Sequence, residues 1–397
     1  MSESNGRAGG RNLVVCCDGT SNEIGVNISN VLKLCRIAVK DDTQRVFYDP
    51  GVGTIGQLAT WGRLWQRLKT AMGLATGYGL DDNILDAYRW LCLNHRPGDR
   101  IFLFGFSRGA YTVRALAGLV NMIGLLGPDQ VNITGDALTA YKRAAEKDDL
   151  PIAWQFQRIS EGRDVAIHFI GVWDTVASVL VPRPDRLYLP SLEFLPYTKQ
   201  NKRVRAFRQA IAIDERRAMF RNYRWNDGQK FAARRFGGVE VDQDCRQVWF
   251  AGVHADIGGG YPEAQSGLSK FPLRWMLDEA SAHGLRLKKA LRSHLVEGKR
   301  SRDGLGSYVA PDASAIMHRS LKGLWWLLEV WPKRAKWLRW PGKWTIAGFY
   351  LPLAEPRFIA DDAEIHPSVI ERMRLLPGYR PVNLPAHLLP KGPERQD

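Results

Sequence analysis

Arg100-Ile-Phe-Leu-Phe-Gly-Phe-Ser107-Arg-Gly-Ala-Tyr-Thr-Val-Arg-Ala-Leu-Ala-Gly-Leu-Val120 is the stretch on which the reading of this chain turns. Ile101 to Phe104 form a short apolar run suited to a buried strand, and from Ala110 onward apolar residues recur at helical spacing through Val113, Leu116 or Ala117, and Val120. Between them Gly105-Phe-Ser107-Arg-Gly109 is a G-x-S-x-G sequence at a strand-to-helix corner, the setting that a nucleophile elbow requires. The glycines have a physical reason, because strand and helix approach so closely there that a neighbouring side chain would hold them apart. Upstream, Asp81-Asp82-Asn83 through His95 predicts a capped amphipathic helix, which Arg96-Pro-Gly-Asp99 ends just before the strand.

Three further segments put polar residues at the C-terminal ends of apolar runs, where open α/β sheets bind their ligands. Asn12-Leu-Val-Val-Cys-Cys17 reads as a strand buried on both faces and leads into Asp18-Gly19-Thr20. Asp164 to Trp173 reads as a strand ending in Asp174-Thr175, which places a carboxylate on the edge that carries Ser107. Gln247 to Ala251 is a strand leading into Gly252-Val-His254-Ala-Asp256-Ile-Gly-Gly-Gly-Tyr261. Ser107, Asp174 and His254 therefore follow the order nucleophile, acid, base that α/β-hydrolases use. His318 and His366 compete with His254, and His366 would be the base if that residue must follow the final strand. The amide of Arg108 is one candidate oxyanion donor, and Asp18, Gly19 and Thr20 are expected on the rim to supply a second.

At 397 residues the chain has material for one large α/β domain. Its expected parts are a disordered leader over 1–10, a catalytic domain over 11–375 with an insertion at about 182–240, and a tail over 376–397. Within the insertion the pattern predicts a helix from Arg205 to Ala212, and Ile213-Asp-Glu-Arg-Arg217 is expected to wall the site. A basic amphipathic segment at 57–76 reads as a lid or a surface helix. The formal charge of +15 draws the protein toward anionic surfaces. No helix-turn-helix or RNA-binding signature accompanies it, so nucleic acid is set aside. Over 318–345 tryptophans alternate with Lys and Arg, a composition that suits a membrane interface and equally suits a cap on the core. Five cysteines without metal-ligand spacing read as reduced core residues, and no metal or cofactor is expected. Neither a secretory segment nor a run of membrane-spanning length is visible, which points to a cytoplasmic chain with peripheral membrane contact.

Five segments together carry a resemblance: Cys17 to Asn22, Tyr48 to Thr54, Gly105 to Ala110, Val172 to Thr175, and Gly252 to Tyr261. In that order they resemble the DUF2235 family of α/β-hydrolases, to which the catalytic domain of one class of type VI secretion phospholipase effectors belongs. The resemblance implies a mainly parallel sheet flanked by helices, with helical insertions and a less regular C-terminal part. It further implies a lipase-type Ser-Asp-His site on Ser107, Asp174 and His254 with phospholipid esters as substrate. An immunity or delivery partner would follow if the chain is such an effector. The residues alone also admit a soluble carboxylesterase or thioesterase, and a non-catalytic binding module on a hydrolase fold.

Overall fold

All seven strands of the central sheet point the same way, which is the layout that apolar runs separated by amphipathic helices dictate. The computed structural model describes residues 10–19, 27–51, 79–146, 150–176, 180–182, 190–192, 195–300, 306–323 and 325–389. Its seven-stranded sheet contains β1 (Asn12–Cys17), β2 (Gln44–Asp49), β3 (Arg100–Phe106), β4 (Ile167–Trp173), β5 (Val204–Ala212), β6 (Asp244–Phe250) and β7 (Glu364–Ile365). They lie in the order β7-β6-β5-β4-β3-β1-β2, and each neighbouring pair is parallel. This is an α/β-hydrolase-like sheet, and its strand order reverses between β1 and β3, where the C-terminal edges open a crevice.

The sheet is buried on both faces. Leu13, Val15, Ile101 and Leu103 join one core, against α2 (Leu80–Asn94) and α3 (Arg108–Ile123), while Val14, Cys16, Phe102 and Phe104 join the other, with α1 (Asn30–Ile37). Alternation at period two assigns these residues to their faces, and each fully buried large apolar side chain contributes about 1.5–3 kcal/mol. Helix α2 starts at Gly79 in a left-handed conformation without a side-chain cap, and the expected aspartates Asp81 and Asp82 lie in its first turn, where their charge favours the helix dipole.

One prediction fails here. Val204–Ala212 is a strand at the heart of the sheet, paired with β4 and β6, where the sequence pattern predicts a helix, so the stretch 182–240 expected as an insertion is interrupted by a core element. Val204, Phe207 and Ile211 mimic helical spacing, while Arg208 and Gln209 hide the strand because they are buried with distant partners. Arg208 pairs with Asp244 at 2.8 Å and Glu279 at 2.6 Å, and Gln209 accepts from Arg114 at 2.8 Å.

The C-terminal part packs rather than trails. Tyr379 and Leu384 join Ile211, Ile213, Trp249 and Val369 in a third core, so the stretch expected as a tail is folded through its described residues, up to 389. Four of the cysteines are buried, Cys245 is half-buried, and all five are free thiols. The leader over 1–9, the segment at 57–76, Thr20 and the end of the tail lie outside the described residues.

Candidate active site

The corner after β3 is as tight as its glycines imply. A Cβ on Gly105 would stand 2.4 Å from the Gly109 carbonyl oxygen, and one on Gly109 would stand 2.1 Å from that of Cys17. The second contact presses the elbow against the end of β1, so the Asp18-Gly19 turn borders the serine. Ser107 itself has φ 58° and ψ −119°, a conformation costing about 1–3 kcal/mol for a residue with a side chain, and it lifts Oγ clear of both strand and helix.

His254 reaches this hydroxyl from the other side of the sheet's edge. It opens α6 (His254–Gly258), four residues after β6, and its Nε2 lies 2.8 Å from Ser107 Oγ. Gly258 permits the approach: a Cβ there would fall 2.0 Å from Phe106 Cε2. The imidazole sits between Phe106 at 4.6 Å and Phe220 at 4.8 Å between ring centroids. Asp174 follows β4, also at positive φ (36°), and its Oδ2 lies 2.5 Å from His254 Nδ1. With the Nδ1 proton donated to the carboxylate, Nε2 is left to accept from the serine hydroxyl.

Electrostatics favour this protonation pattern. Burial works to raise the Asp174 carboxyl, but the Arg357 guanidinium and the His254 hydrogen bond outweigh it and hold the group well below the usual carboxylate range. Burial lowers His254 below its ordinary 6.5, and the bond to Asp174 only partly offsets this. The ring is therefore neutral at pH 7, the state a general base needs.

Glu215, in the predicted wall, is buried, and its Oε2 accepts from the His254 backbone N–H at 3.2 Å. Burial acts to raise its pKa, yet the ion pair with Arg217 pushes it down to about 2. Asp18 accepts from Gly19 N–H at 2.7 Å, Tyr48 at 2.9 Å and Ser29. Gly19 N–H is thus engaged by its neighbour, while Arg108 begins the first turn of α3 beside Ser107.

The competing histidines are occupied elsewhere. His318 donates from its backbone and places Nδ1 2.7 Å from Asp256, and its ring stacks on Tyr261. His366 does follow the final strand, but it caps α10 (Pro367–Leu375) and stacks on Phe250. Asp256 also accepts from Val253 N–H, so Asp18 and Asp256 each accept hydrogen bonds both from their own loop and from distant side chains. Among the described residues no cluster of three or more His, Cys, Asp or Glu could hold a metal ion.

A model of the type VI secretion phospholipase effector Tle1-like catalytic domain matches residues 11–279, about two thirds of the chain. The chain belongs to this family. Ser107, Asp174 and His254 all fall inside the Tle1-like region. An uncharacterized protein of Saccharomyces cerevisiae, YEL023C, is 33% identical over 237 residues, which cover 56% of this chain and 33% of that protein. Two solved structures are similar to this chain at low identity. One is an uncharacterized protein from Pseudomonas aeruginosa, with 18% identity, TM-score 0.38, and coverage of 70% of this chain and 47% of that one. The other is the Tle1 effector bound to the VgrG spike of the type 6 secretion system, with 20% identity, TM-score 0.34, and coverage of 65% and 52%. The chain therefore spans a third of the yeast relative's length.

Sequence reasoning missed Arg357, which lies beyond the Tle1-like region. Its guanidinium is buried against Asp174, with Nη1 to Oδ1 at 2.5 Å and Nη2 to Oδ2 at 3.0 Å. Nothing in Glu355-Pro-Arg357-Phe358 announces this. The available signal was indirect, since a buried aspartate facing a neutral histidine needs a cation or several donors from somewhere.

Proposed function

We propose that this chain is a serine hydrolase that cleaves acyl esters of lipids, most specifically phospholipids, through an acyl-enzyme on Ser107. The observation that carries the reading is the unbroken hydrogen-bonded line from Ser107 Oγ through His254 to an ionised, buried Asp174, set at a strand-to-helix elbow in a member of the Tle1-like family. His254 takes the hydroxyl proton as Oγ attacks the ester carbonyl, and Asp174 holds the ring tautomer and stabilises the imidazolium. Charge developing on the carbonyl oxygen is met by the Arg108 amide, in the first turn of α3. The imidazolium returns its proton to the leaving alcohol. Water, deprotonated by the same histidine, then releases the fatty acid and restores the serine.

The C-terminal tryptophan-rich segment supports a lipid surface as the place of action. Trp325 is stacked edge-on to Phe220, which in turn touches the His254 ring, so the segment stands beside the site. Around it Trp326, Leu327, Trp331, Trp344 and Ile346 are exposed, Trp344 at 89% and Trp331 at 70%. Exposed rings beside the exposed Arg334 and Lys336 match an anionic interface, where rings sit at headgroup depth and cations meet phosphates. Among the described residues no helix is long and apolar enough to cross a membrane.

The test is fatty-acid release from phosphatidylglycerol–phosphatidylethanolamine vesicles, beside hydrolysis of p-nitrophenyl butyrate. Release from vesicles that weakens as salt is raised is the expected result, because screening acts on exposed charges. Replacing Trp331 and Trp344 together by alanine should lower the vesicle rate about tenfold or more and leave the soluble ester within about twofold, since each ring contributes on the order of 1 kcal/mol at an interface. Hydrolysis of the soluble ester with none on vesicles would identify a small-molecule esterase instead. Failure on both substrates would overturn the catalytic reading.

A pH profile follows from the His254 environment. With the ring's pKa below 6.5, kcat/KM is expected to fall toward acid pH with a midpoint below 6.5, as the folded enzyme's histidine takes up a proton. A midpoint above 6.5 would contradict the burial that governs this ring.

A further inference from the structure

We propose that Arg357 is the positioning residue of the acid, so that the catalytic unit is completed by the C-terminal part of the chain, outside the Tle1-like region. This inference rests on the serine-hydrolase reading above. Four donors converge on Asp174: the Ala212 N–H at 3.0 Å, both Nη atoms of Arg357, and His254 Nδ1. A planar guanidinium meeting both carboxylate oxygens fixes the plane of the carboxylate as well as its charge, which a lysine ammonium does not do. Once that plane is fixed, Oδ2 has a single direction in which to face the imidazole.

Arg357 is itself held from several sides. Its Nη1 also donates to the Ala212 carbonyl at 3.0 Å and its Nη2 to the Phe220 carbonyl at 2.5 Å, which ties it to the end of β5 and to the aromatic residue that flanks His254. Its own carbonyl accepts from Asn383 Nδ2 at 3.0 Å, and the same Asn383 amide donates to the Ile213 carbonyl. The strand end, the site wall and the C-terminal part thus converge on one guanidinium. A buried aspartate facing only a neutral imidazole would leave an uncompensated charge, a costly arrangement that either reorients the carboxylate or draws a proton into the pair.

The second consequence concerns the base. A cation on the far side of the carboxylate weakens the pull of Asp174 on a histidine proton, which helps to keep the ring neutral. The other charged groups facing the pair are Glu215 and Arg217, which are bound to each other, with Glu215 also taking the His254 backbone N–H. Asp214 accepts from Gly252 N–H and Tyr379, and Asp256 is turned to His318. Removal of Arg357 therefore changes one charge in a setting whose other acidic groups keep their own hydrogen-bond partners.

Two independent readouts test the assignment on the full chain. In histidine-labelled protein, the Cε1 resonance of His254, identified by its loss in His254→Gln, gives the ring's pKa without any substrate. Arg357→Met is expected to raise that pKa by about one unit, since an adjacent guanidinium shifts a carboxylate's proton affinity by one to three units. On p-nitrophenyl butyrate the same variant should lose about 100-fold in kcat, with KM within about twofold, because a misplaced catalytic group costs on that scale while substrate binding is untouched. Arg357→Lys keeps the charge without the fork, so it should leave the pKa within a few tenths of a unit and lose about tenfold in kcat. Thermal melts establish that each variant is folded, and Arg357→Gln takes the place of the Met variant in both measurements if that one is not. A titration curve for Arg357→Met or Arg357→Gln that superimposes on the parent's overturns the proposal, and so does a parental kcat in all the variants. If the parent and Ser107→Ala hydrolyse the ester equally, the serine-hydrolase reading fails by itself, and the His254 titration still decides the role of Arg357.

Discussion

Ser107→Ala is expected to abolish ester and phospholipid hydrolysis, lowering kcat by a factor on the order of 10⁶. The size follows from what the variant lacks. Without Oγ no acyl-enzyme forms, and His254 Nε2, 2.8 Å from that oxygen, faces no nucleophile whose proton it can take. What survives is binding and the oxyanion donors, worth roughly 10³–10⁴ over water in sites of this type. Stability should hardly change. The strained backbone at φ 58° is as costly for alanine as for serine, and among the described residues the hydroxyl's hydrogen-bond partner is His254, so a shift below about 1 kcal/mol is expected. The pairing of a lost rate with an unchanged melting curve separates a chemical role from a structural one. Activity within tenfold of the parent would move the reaction off the serine and onto a water activated directly by His254.

The sheet was legible where side chains alone determine it. Asn12–Cys17 and Arg100–Phe106 are continuous apolar runs because both faces are covered, and the elbow is written in its glycines, whose missing Cβ atoms make room for the Cys17 and Gly109 carbonyls. The serine and the aspartate were each legible as a polar residue directly after such a run, and the histidine as one in the glycine-rich loop that follows another. What escaped was whatever depends on a partner far away in the chain. Arg208 and Gln209 read as the exposed face of a helix until Asp244, Glu279 and Arg114 are seen beside them. Arg357 reads as one basic residue among many, and only the fold brings it 183 positions back to Asp174. The tryptophan segment was legible in composition alone, and the structure divides it between a part that packs on Phe220 and a part that faces solvent.

His254 and His366 each offered themselves as the base, and their variants are expected to fail in opposite ways. His254→Ala should cost about 10⁴-fold or more in kcat, as loss of the base in a serine triad does, and leave Ser107 with nothing to accept its proton. It also leaves Asp174 with Arg357 and the Ala212 N–H, which still satisfy the carboxylate, so the variant is expected to remain folded. His366→Ala should do the reverse. That ring accepts from the Ser368 N–H at the start of α10 and stacks on Phe250 at 4.5 Å, while burial and the charge of Arg274 hold its pKa down to about 4, so the ring serves the helix start and an aromatic pair. Losing a helix cap costs about 1 kcal/mol, and losing an aromatic pair costs about as much again. The His366 variant should therefore melt several degrees lower with kcat within about twofold of the parent. Rates measured well below both melting temperatures keep the two effects apart. An inactive His366→Ala beside an active His254→Ala would reassign the base to the residue after the last strand, and it would require the loop at Gly252–Tyr261 to leave the serine and α10 to swing toward it. The packing of Gly258 on Phe106 and the bonds of Asp256 to Val253 and His318 both oppose that movement.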